Sequence, residues 1–200
     1  MHTENEKEVF ATSRQEEENH LEQTLAVIRS NIKSYGQEIA RMHTDIDEML
    51  DHYHDNDPEV FSILNTTVTL HEHMKRALMR NEKALSRPYF GRIIFHDALL
   101  DKMETLYIGR GGISKDTTNQ IVIDWRAPVA NAYYENGMGR CSYKAPDGSP
   151  IKIDLKNKRT YEIEKGKLLD YFDSEVIAND DLLTKYLAKN KQAVLGEIVA

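Results

Sequence analysis

Six carboxylates lie within a short stretch of the first third of the chain, and they are its densest set of chemically active groups. No Lys or Arg lies between residues 45 and 57 to balance them. Such a set is a solvated loop end, a Mg²⁺ chelator without the spacing of an EF-hand, or an acidic probe directed at a basic channel or a bound metal ion. The residues alone leave these interpretations open. The acids are Asp45, Asp47, Glu48, Asp51, Asp55 and Asp57.

Two groups in the second half of the chain contain residue types used in known sites. The first comprises Asp124, Glu135, Asp154 and Lys156. Metal-dependent nucleases use acids and a lysine of this kind. The spacing of these four residues is loose, however, and we keep a divalent-metal nuclease only as an alternative function. The second is the glycine-rich stretch 109–112, which could offer backbone N–H groups to an anion. A tight turn between strands explains it as well, and we favour the turn.

Other catalytic and metal-binding patterns are missing from the sequence. It contains no G-x-x-x-x-G-K-[ST] stretch, and therefore no phosphate cradle of the P-loop type. The lone Cys141 excludes an internal disulfide and a cysteine-based zinc site. The histidine pairs at 52 and 54 and at 71 and 73 would point about 200° apart on a helix, so we expect surface and seam positions. We predict no catalytic residue, no metal ligand and no cofactor in this chain.

The 200 residues carry a formal net charge of −7, and the excess acid is confined to one end. Residues 1–57 hold 14 acids and 5 bases, whereas the rest holds 19 acids and 21 bases. An acidic chain is a poor free-standing nucleic-acid binder, because phosphate contacts need clustered Lys and Arg. The polar, acidic N-terminus is unlike a secretory signal, and no apolar run approaches the roughly 20 residues that span a bilayer. With a single cysteine, these features indicate a cytoplasmic protein without membrane contact.

A long amphipathic helix is predicted to carry the first four of the six acids, those at positions 45, 47, 48 and 51. Apolar residues recur at alternating intervals of four and three, and this 3.5-residue repeat is typical of a coiled-coil seam. A helix from about Ser13 to Tyr53 would be roughly 60 Å long, and its apolar stripe needs a partner. The seam comprises Leu21, Leu25, Ile28, Ile32, Tyr35, Ile39, Met42, Ile46, Met49 and Tyr53.

The next segment is the predicted partner. Residues 54–58 form a turn signal, and Asp57 can cap a second helix that has Pro58 at its first position. Two helices joined by a short turn form an antiparallel hairpin, which the chain leaves at Arg87. The hairpin would carry the six acids at its tip. The second seam comprises Val60, Leu64, Thr67, His71, Met74, Leu78, Asn81 and Leu85.

From Pro88 the pattern changes to short β-branched and aromatic runs separated by turns. Residues 88–173 are predicted to form a largely antiparallel β region, and residues from 180 onward a final helix. The predicted fold class is α+β: a long antiparallel coiled-coil hairpin, a small, mainly antiparallel β region and a C-terminal helix. The predicted strands are 89–95, 105–110, 120–125, 151–155, 159–164 and 167–172.

An unusual string, IDWRAPV, occupies residues 123–129 and is followed by two adjacent tyrosines. We expect its tryptophan, the only one in the chain, to anchor a small core together with those tyrosines. Asp124 and Arg126 are expected to pair across a turn, and Pro128 is expected to end the strand.

Three signatures resemble HelD-type proteins in order and spacing: PYFGRI at 88–93, YIGR at 107–110, and DWRAPV at 124–129 with the tyrosine pair. HelD-type proteins are superfamily-1, UvrD-like helicase relatives that bind bacterial RNA polymerase. The resemblance covers essentially the whole chain, although in the hairpin it concerns placement rather than residues. The motif residues, for which we expect a structural role, are Tyr89, Phe90, Gly91, Arg92, Gly109, Arg110, Asp124, Trp125, Arg126, Pro128, Tyr133 and Tyr134.

The resemblance implies that residues 1–87 form a coiled-coil arm that enters the secondary channel of RNA polymerase core, with its tip near the active-site magnesium. The six acids of residues 45–57 would then bind this partner. Residues 88–200 would be the β-rich start of the first, RecA-like motor domain, which ends here before Walker A. ATP and Mg²⁺ are expected for the longer parent protein, and DNA or RNA contacts are expected through the missing motor part.

The predicted function is that of an N-terminal fragment of a HelD-like helicase/ATPase involved in transcription, which helps to release stalled polymerase from nucleic acid. The fragment alone is not expected to hydrolyse ATP. The alternative is a stand-alone coiled-coil factor that binds polymerase without a motor. An in-frame G-x-x-x-x-G-K-[ST] in the DNA after codon 200 would separate the two. The nuclease alternative would require Mg²⁺-dependent cleavage that disappears on Asp124→Ala.

Overall fold

Two long helices form an antiparallel pair at the start of the chain. The computed structural model describes residues 10, 12–51, 58–134 and 137–174. Helix α1 spans Arg14–Asp51 and helix α2 spans Pro58–Ala84. Contacts between positions 31 and 81 and between positions 43 and 71 show that the helices run in opposite directions. At 1.5 Å per residue, α1 is about 57 Å long, as the predicted hairpin requires.

Packing between the two helices follows the predicted seams. Every seam residue of both helices that the structure describes is buried or half-buried, and most positions between them are exposed. Burial is deepest in the first half of α1, where Leu21, Leu25 and Ile28 also contact the sheet. Asn31 Nδ2 donates to Asn81 Oδ1 at 3.2 Å across the seam. A polar pair at the seam favours one register of the two helices, because slipping would break this hydrogen bond.

A seven-stranded sheet follows the helix pair. The strand order is β3-β4-β2-β1-β6-β5, and β7 pairs with the later half of β6. All neighbours are antiparallel except β2 and β4, so the predicted mainly antiparallel region is confirmed. The strands are β1 Gly91–Asp97, β2 Lys102–Gly109, β3 Ile113–Ser114, β4 Gln120–Asp124, β5 Gly139–Lys144, β6 Pro150–Glu164 and β7 Lys167–Asp173.

Some local predictions were wrong. Residues 151–155 and 159–164 belong to one continuous strand, and Gly139–Lys144 is a strand that the sequence pattern did not indicate. Pro128 does not end a strand: β4 ends at Asp124, and Pro128 begins a 3₁₀ turn, Pro128–Ala130, that leads into the short helix α3, Asn131–Tyr134. Proline is favoured at such a first helical position because its fixed φ suits the turn. The predicted C-terminal helix lies outside the described residues.

An irregularity in β6 decides which side chains face the helix pair. The register between β1 and β6 shifts between Ile94 and Phe95, so β6 has one extra residue there. Because side chains alternate across a sheet, this bulge exchanges the two faces of β6. Before it, Leu155 packs into the cluster on the α3 side; after it, Tyr161 packs into the cluster against α1. The bulge therefore directs the later half of β6 toward the root of the helix pair.

Candidate functional site

The predicted acidic tip lies at the far end of the helix pair from the sheet. Asp47 and Asp51 are exposed on the last turns of α1, and Asp45 is half-buried. Asp45 lies 3.7 Å from Arg41, and Asp47 lies 3.1 Å from His43. Glu48 is exposed on the same turns, whereas the predicted Asp55 and Asp57 lie outside the described residues. The structure thus brings four of the six acids together.

The C-terminal end of α1 adds to the negative charge of the tip. The last turn of a helix exposes backbone carbonyls and carries about half a negative charge, which cationic side chains usually balance. No basic residue lies in the last turn of α1, and Asp51 is its final residue. This arrangement costs some helix stability and concentrates negative potential at the tip. A locally unfavourable choice of this kind is typical of a functional surface.

Large apolar side chains are exposed at the same end of the pair. Leu50, near the end of α1, is 53% exposed, and Phe61, in the first turn of α2, is 58% exposed. Ile63 on the next turn is 50% exposed. None of them belongs to a seam, so the coiled coil does not require them. The tip combines carboxylates with an apolar surface, a combination that suits contact with another macromolecule.

A buried ion cluster fixes the root of the helix pair to the sheet. Glu17 Oε1 accepts a hydrogen bond of 3.0 Å from Arg92 Nη1 and one of 2.6 Å from Arg159 Nη1. Arg159 Nε and Nη2 donate to the two carboxylate oxygens of Asp173 at 2.6 and 2.8 Å. Thr12 Oγ1 completes the cluster through Glu17 and Arg159. Two arginines and two acids balance each other in charge, which offsets part of the cost of burying them.

The charge state of the cluster follows from its surroundings. Burial acts to lower the pKa of Arg159, but the hydrogen bonds and charge of Asp173 outweigh it and raise that pKa. Arg159 therefore remains cationic. Two tyrosines pack beside the cluster, with the rings of Tyr89 and Tyr161 5.1 Å apart. Burial raises the pKa of both hydroxyls, so they stay neutral and add no charge.

The first family motif supplies the sheet side of this root. Tyr89 faces α1, Phe90 joins the cluster on the opposite face, and Arg92 binds Glu17. A Cβ at Gly91 would lie 2.7 Å from Cε2 of Tyr133, so no larger residue fits there. The motif is a junction between both faces of the sheet and the helix pair.

The glycine-rich stretch 109–112 is a packed turn. A Cβ at Gly109 would collide with the carbonyl oxygen of Pro88, and it would lie 2.8 Å from Cγ1 of Val122. Trp125 donates its backbone N–H to the Gly109 carbonyl at 2.9 Å. Close packing accounts for Gly109, in agreement with the favoured interpretation. Arg110, the other predicted residue here, is half-buried.

The DWRAPV string forms the corner after β4. Arg126 donates two side-chain hydrogen bonds, of 2.8 and 2.6 Å, to the Asp124 carboxylate, so the predicted pair is confirmed. Burial acts to raise the pKa of Asp124, but the hydrogen bonds from Arg126 outweigh it and lower that pKa. Tyr133 is buried and its hydroxyl lies 2.7 Å from Thr160 Oγ1. Trp125 and Tyr134 pack on the same cluster, and Pro128 opens the turn between them.

The described acids of the nuclease alternative, Asp124 and Asp154, do not converge, and Glu135 lies outside the described residues. Asp124 ends β4 beside Gly109, whereas Asp154 pairs with His96 at the opposite end of β1, three strands away. Strands lie about 4.8 Å apart, so these two carboxylates are separated by well over 10 Å. Asp154 is instead bound to Lys156 at 2.8 Å. Within 12–51, 58–134 and 137–174, no three His, Cys, Asp or Glu residues are arranged to hold a metal ion.

Sequence reasoning missed Glu17, Arg159 and Asp173 as an ion cluster, although Arg92 was among the predicted motif residues. A signal was present, because Glu17 lies four residues before Leu21 and therefore continues the buried stripe of α1. A carboxylate on such a stripe implies a buried cation opposite it. Arg159 could not be identified in this way, since the face of the sheet on which its side chain lies depends on the bulge in β6.

A comparison with protein families decides the assignment. The family model described as DNA helicase IV HelD, N-terminal domain, matches residues 14–189. The chain belongs to the HelD N-terminal domain family. No curated protein matches the sequence significantly.

The HelD match begins at the first residue of α1 and spans the helix pair and all seven strands. The ion cluster therefore joins two parts of one HelD N-terminal domain. No helix in the described part of this domain is long and apolar enough to cross a membrane.

Proposed function

We propose that this HelD-type chain is a polymerase-binding arm with its base. The arm inserts its tip into the secondary channel of bacterial RNA polymerase and helps a longer helicase-related ATPase to release stalled polymerase from nucleic acid. The observation that carries the proposal is the position of Asp45, Asp47, Glu48 and Asp51 at the free end of a helix pair, in which α1 is about 57 Å and α2 about 40 Å long.

The geometry supports this function in three ways. A narrow helix pair can enter a channel that a globular domain cannot. Carboxylates at its end are attracted to basic groups and to divalent metal, and the attraction strengthens as water is excluded. The buried cluster around Glu17 holds the root rigidly to the sheet, so that movement of the sheet would be transmitted to the tip.

The steps proposed for these residues need neither ATP nor a metal ion held by this chain. The 200 residues contain no P-loop stretch, and the described residues contain no group suited to a metal ion. Nucleotide chemistry in a HelD-type protein is therefore assigned to parts other than these. This chain contributes binding, placement of the tip and a rigid connection.

Binding to purified RNA polymerase core tests the proposal. The wild-type chain should be retained by immobilised core enzyme and should be displaced by another protein that occupies the secondary channel. The variant Asp45→Asn, Asp47→Asn, Glu48→Gln, Asp51→Asn keeps the helices and removes four charges. It should lose affinity by at least about tenfold, since each close charge pair contributes on the order of 1 kcal/mol.

A second four-charge variant is the matched control. Glu18→Gln, Glu22→Gln, Glu82→Gln, Asp170→Asn alters the net charge equally at exposed positions near the root and on the sheet. It should bind within about twofold of the wild type. Equal losses in the two variants would show that net charge alone acts, and the proposed role of the tip would be rejected.

A further inference from the structure

A row of cations lies on the outer face of α2 near its root. Arg76, Arg80 and Lys83 are all exposed. Their spacing of four and three residues places them on one face of the helix, over about 10 Å. Lys75, on the adjacent face, is bound to Glu72 at 3.2 Å. Within the described residues, none of the three cations of the row lies within ion-pair distance of a carboxylate.

The sheet lies beside this row at Arg80. The Cδ of Arg80 lies 3.8 Å from where a Cβ of Gly111 would be, so Arg80 rests beside the β2–β3 turn. Asn31 Nδ2 donates to the carbonyl of Ser114 at 2.9 Å and also to Asn81. These bonds hold the β3–β4 turn at the seam between the helices, on the side of α2 away from the row.

Neighbouring acids only partly neutralise the row. Glu82 is exposed between two of its cations, and Arg76 and Arg80 act through their charges on Glu72 and Asp124. Glu72 and Asp124 are also bound to other cations, Lys75 and Arg126, at 3.2 and 2.6 Å. A positive surface therefore persists on a chain whose formal net charge is −7. We define the root row as Arg76, Arg80 and Lys83.

We propose that the root row binds the phosphate backbone of duplex DNA without reading its sequence. Arginine forms paired hydrogen bonds with phosphate, and a straight row of cations matches the dense charge along a duplex. Residues 72–87 contain no Phe, Tyr or Trp, so the row lacks the stacking rings that single strands use. It also lacks the aromatic centre of a protein interface.

This inference does not depend on polymerase binding. Arg80 lies 22 residues after the start of α2, about 33 Å from the acidic tip. Experiments can therefore confirm or contradict DNA binding by the root row and polymerase binding by the tip independently.

Fluorescence anisotropy of a labelled duplex oligonucleotide with the full 200-residue chain tests the proposal. Binding should be measurable at low salt and should weaken as salt rises, since counterions are released from the DNA. The variant Arg76→Gln, Arg80→Gln, Lys83→Gln should reduce the slope of log K against log salt by about 2.7, because each phosphate contact contributes about 0.9. Each single substitution should reduce it by about 0.9.

The control variant is Lys144→Gln, Lys152→Gln, Lys167→Gln, which changes the net charge equally at exposed positions of β5, β6 and β7. It should keep the wild-type slope. An equal loss in the control, tighter binding of the single strand, or equal competition by polyglutamate would overturn the proposal. Absence of duplex binding at low salt would overturn it as well. Melting curves of all variants verify that the fold is intact.

Discussion

Arg159 Nη1 donates a hydrogen bond of 2.6 Å to Glu17 Oε1, and both side chains are only 2% exposed. This contact joins the start of α1 to the later half of β6, 142 residues further along the chain. It lies where the helix pair leaves the sheet, so it determines the direction in which the arm projects.

Glu17→Gln should destabilise the domain by about 3–5 kcal/mol. The substitution keeps the size of the side chain but leaves Arg92 and Arg159 without their shared anion in a buried site. Urea unfolding followed by circular dichroism measures the loss. Glu22→Gln is the control, since Glu22 binds Arg29 at an exposed position and should contribute less than about 1 kcal/mol. Similar losses in both variants would contradict a special role for the root cluster.

Acidification should weaken the root through His20. Burial lowers the pKa of His20, whose ring stacks on Tyr107 at 3.9 Å. Because the unfolded chain binds the proton more readily, stability is full above the unfolded pKa of about 6.5 and falls as pH drops through the folded pKa. The urea midpoint should therefore decrease between about pH 7.5 and 5.5. His20→Asn should flatten that decrease. An NMR titration that places the His20 pKa at or above 6.5 would contradict this account.

Two glycine substitutions should have opposite effects. Gly91→Ala would bring a methyl group 2.7 Å from the Tyr133 ring, and we expect a loss of about 1–3 kcal/mol from overpacking. Gly36 lies within α1, and no neighbouring atom lies within 4 Å of the position that a Cβ would occupy there. Gly36→Ala should therefore gain up to about 1 kcal/mol from helix propensity. Thermal unfolding of both variants provides the test, and a tolerated Gly91→Ala would refute the packing argument.

The arm and the extent of the sheet could be predicted because their patterns are periodic. A repeat of four and three residues requires a buried stripe, and Pro58 after an Asn-Asp turn marks a helix start. The strand Gly139–Lys144 was not predicted because it lies at the sheet edge and consists of small and polar residues with only one aromatic residue. The bulge in β6 is a property of the strand pairing, and it is what places Arg159 opposite Glu17. The binding role of the tip acids stays a prediction.

Neutralising the tip should leave the fold intact. The four-charge variant at positions 45, 47, 48 and 51 relieves repulsion among acids near the negative end of α1, and we expect stability unchanged or raised by up to about 1 kcal/mol. Urea unfolding of this variant beside the wild type checks it. A loss of more than about 1 kcal/mol would mean that these acids serve the structure, in which case their placement would no longer indicate a partner.

Site-specific photo-crosslinking to RNA polymerase core tests the central claim most directly. A photoreactive side chain at Leu50, which is exposed at the tip, should crosslink to residues lining the secondary channel. The same group at Leu169, which is exposed on β7, should not reach the channel interior. Crosslinks from Leu50 that map outside the channel, or none at all from a chain that binds polymerase, would contradict insertion of the arm.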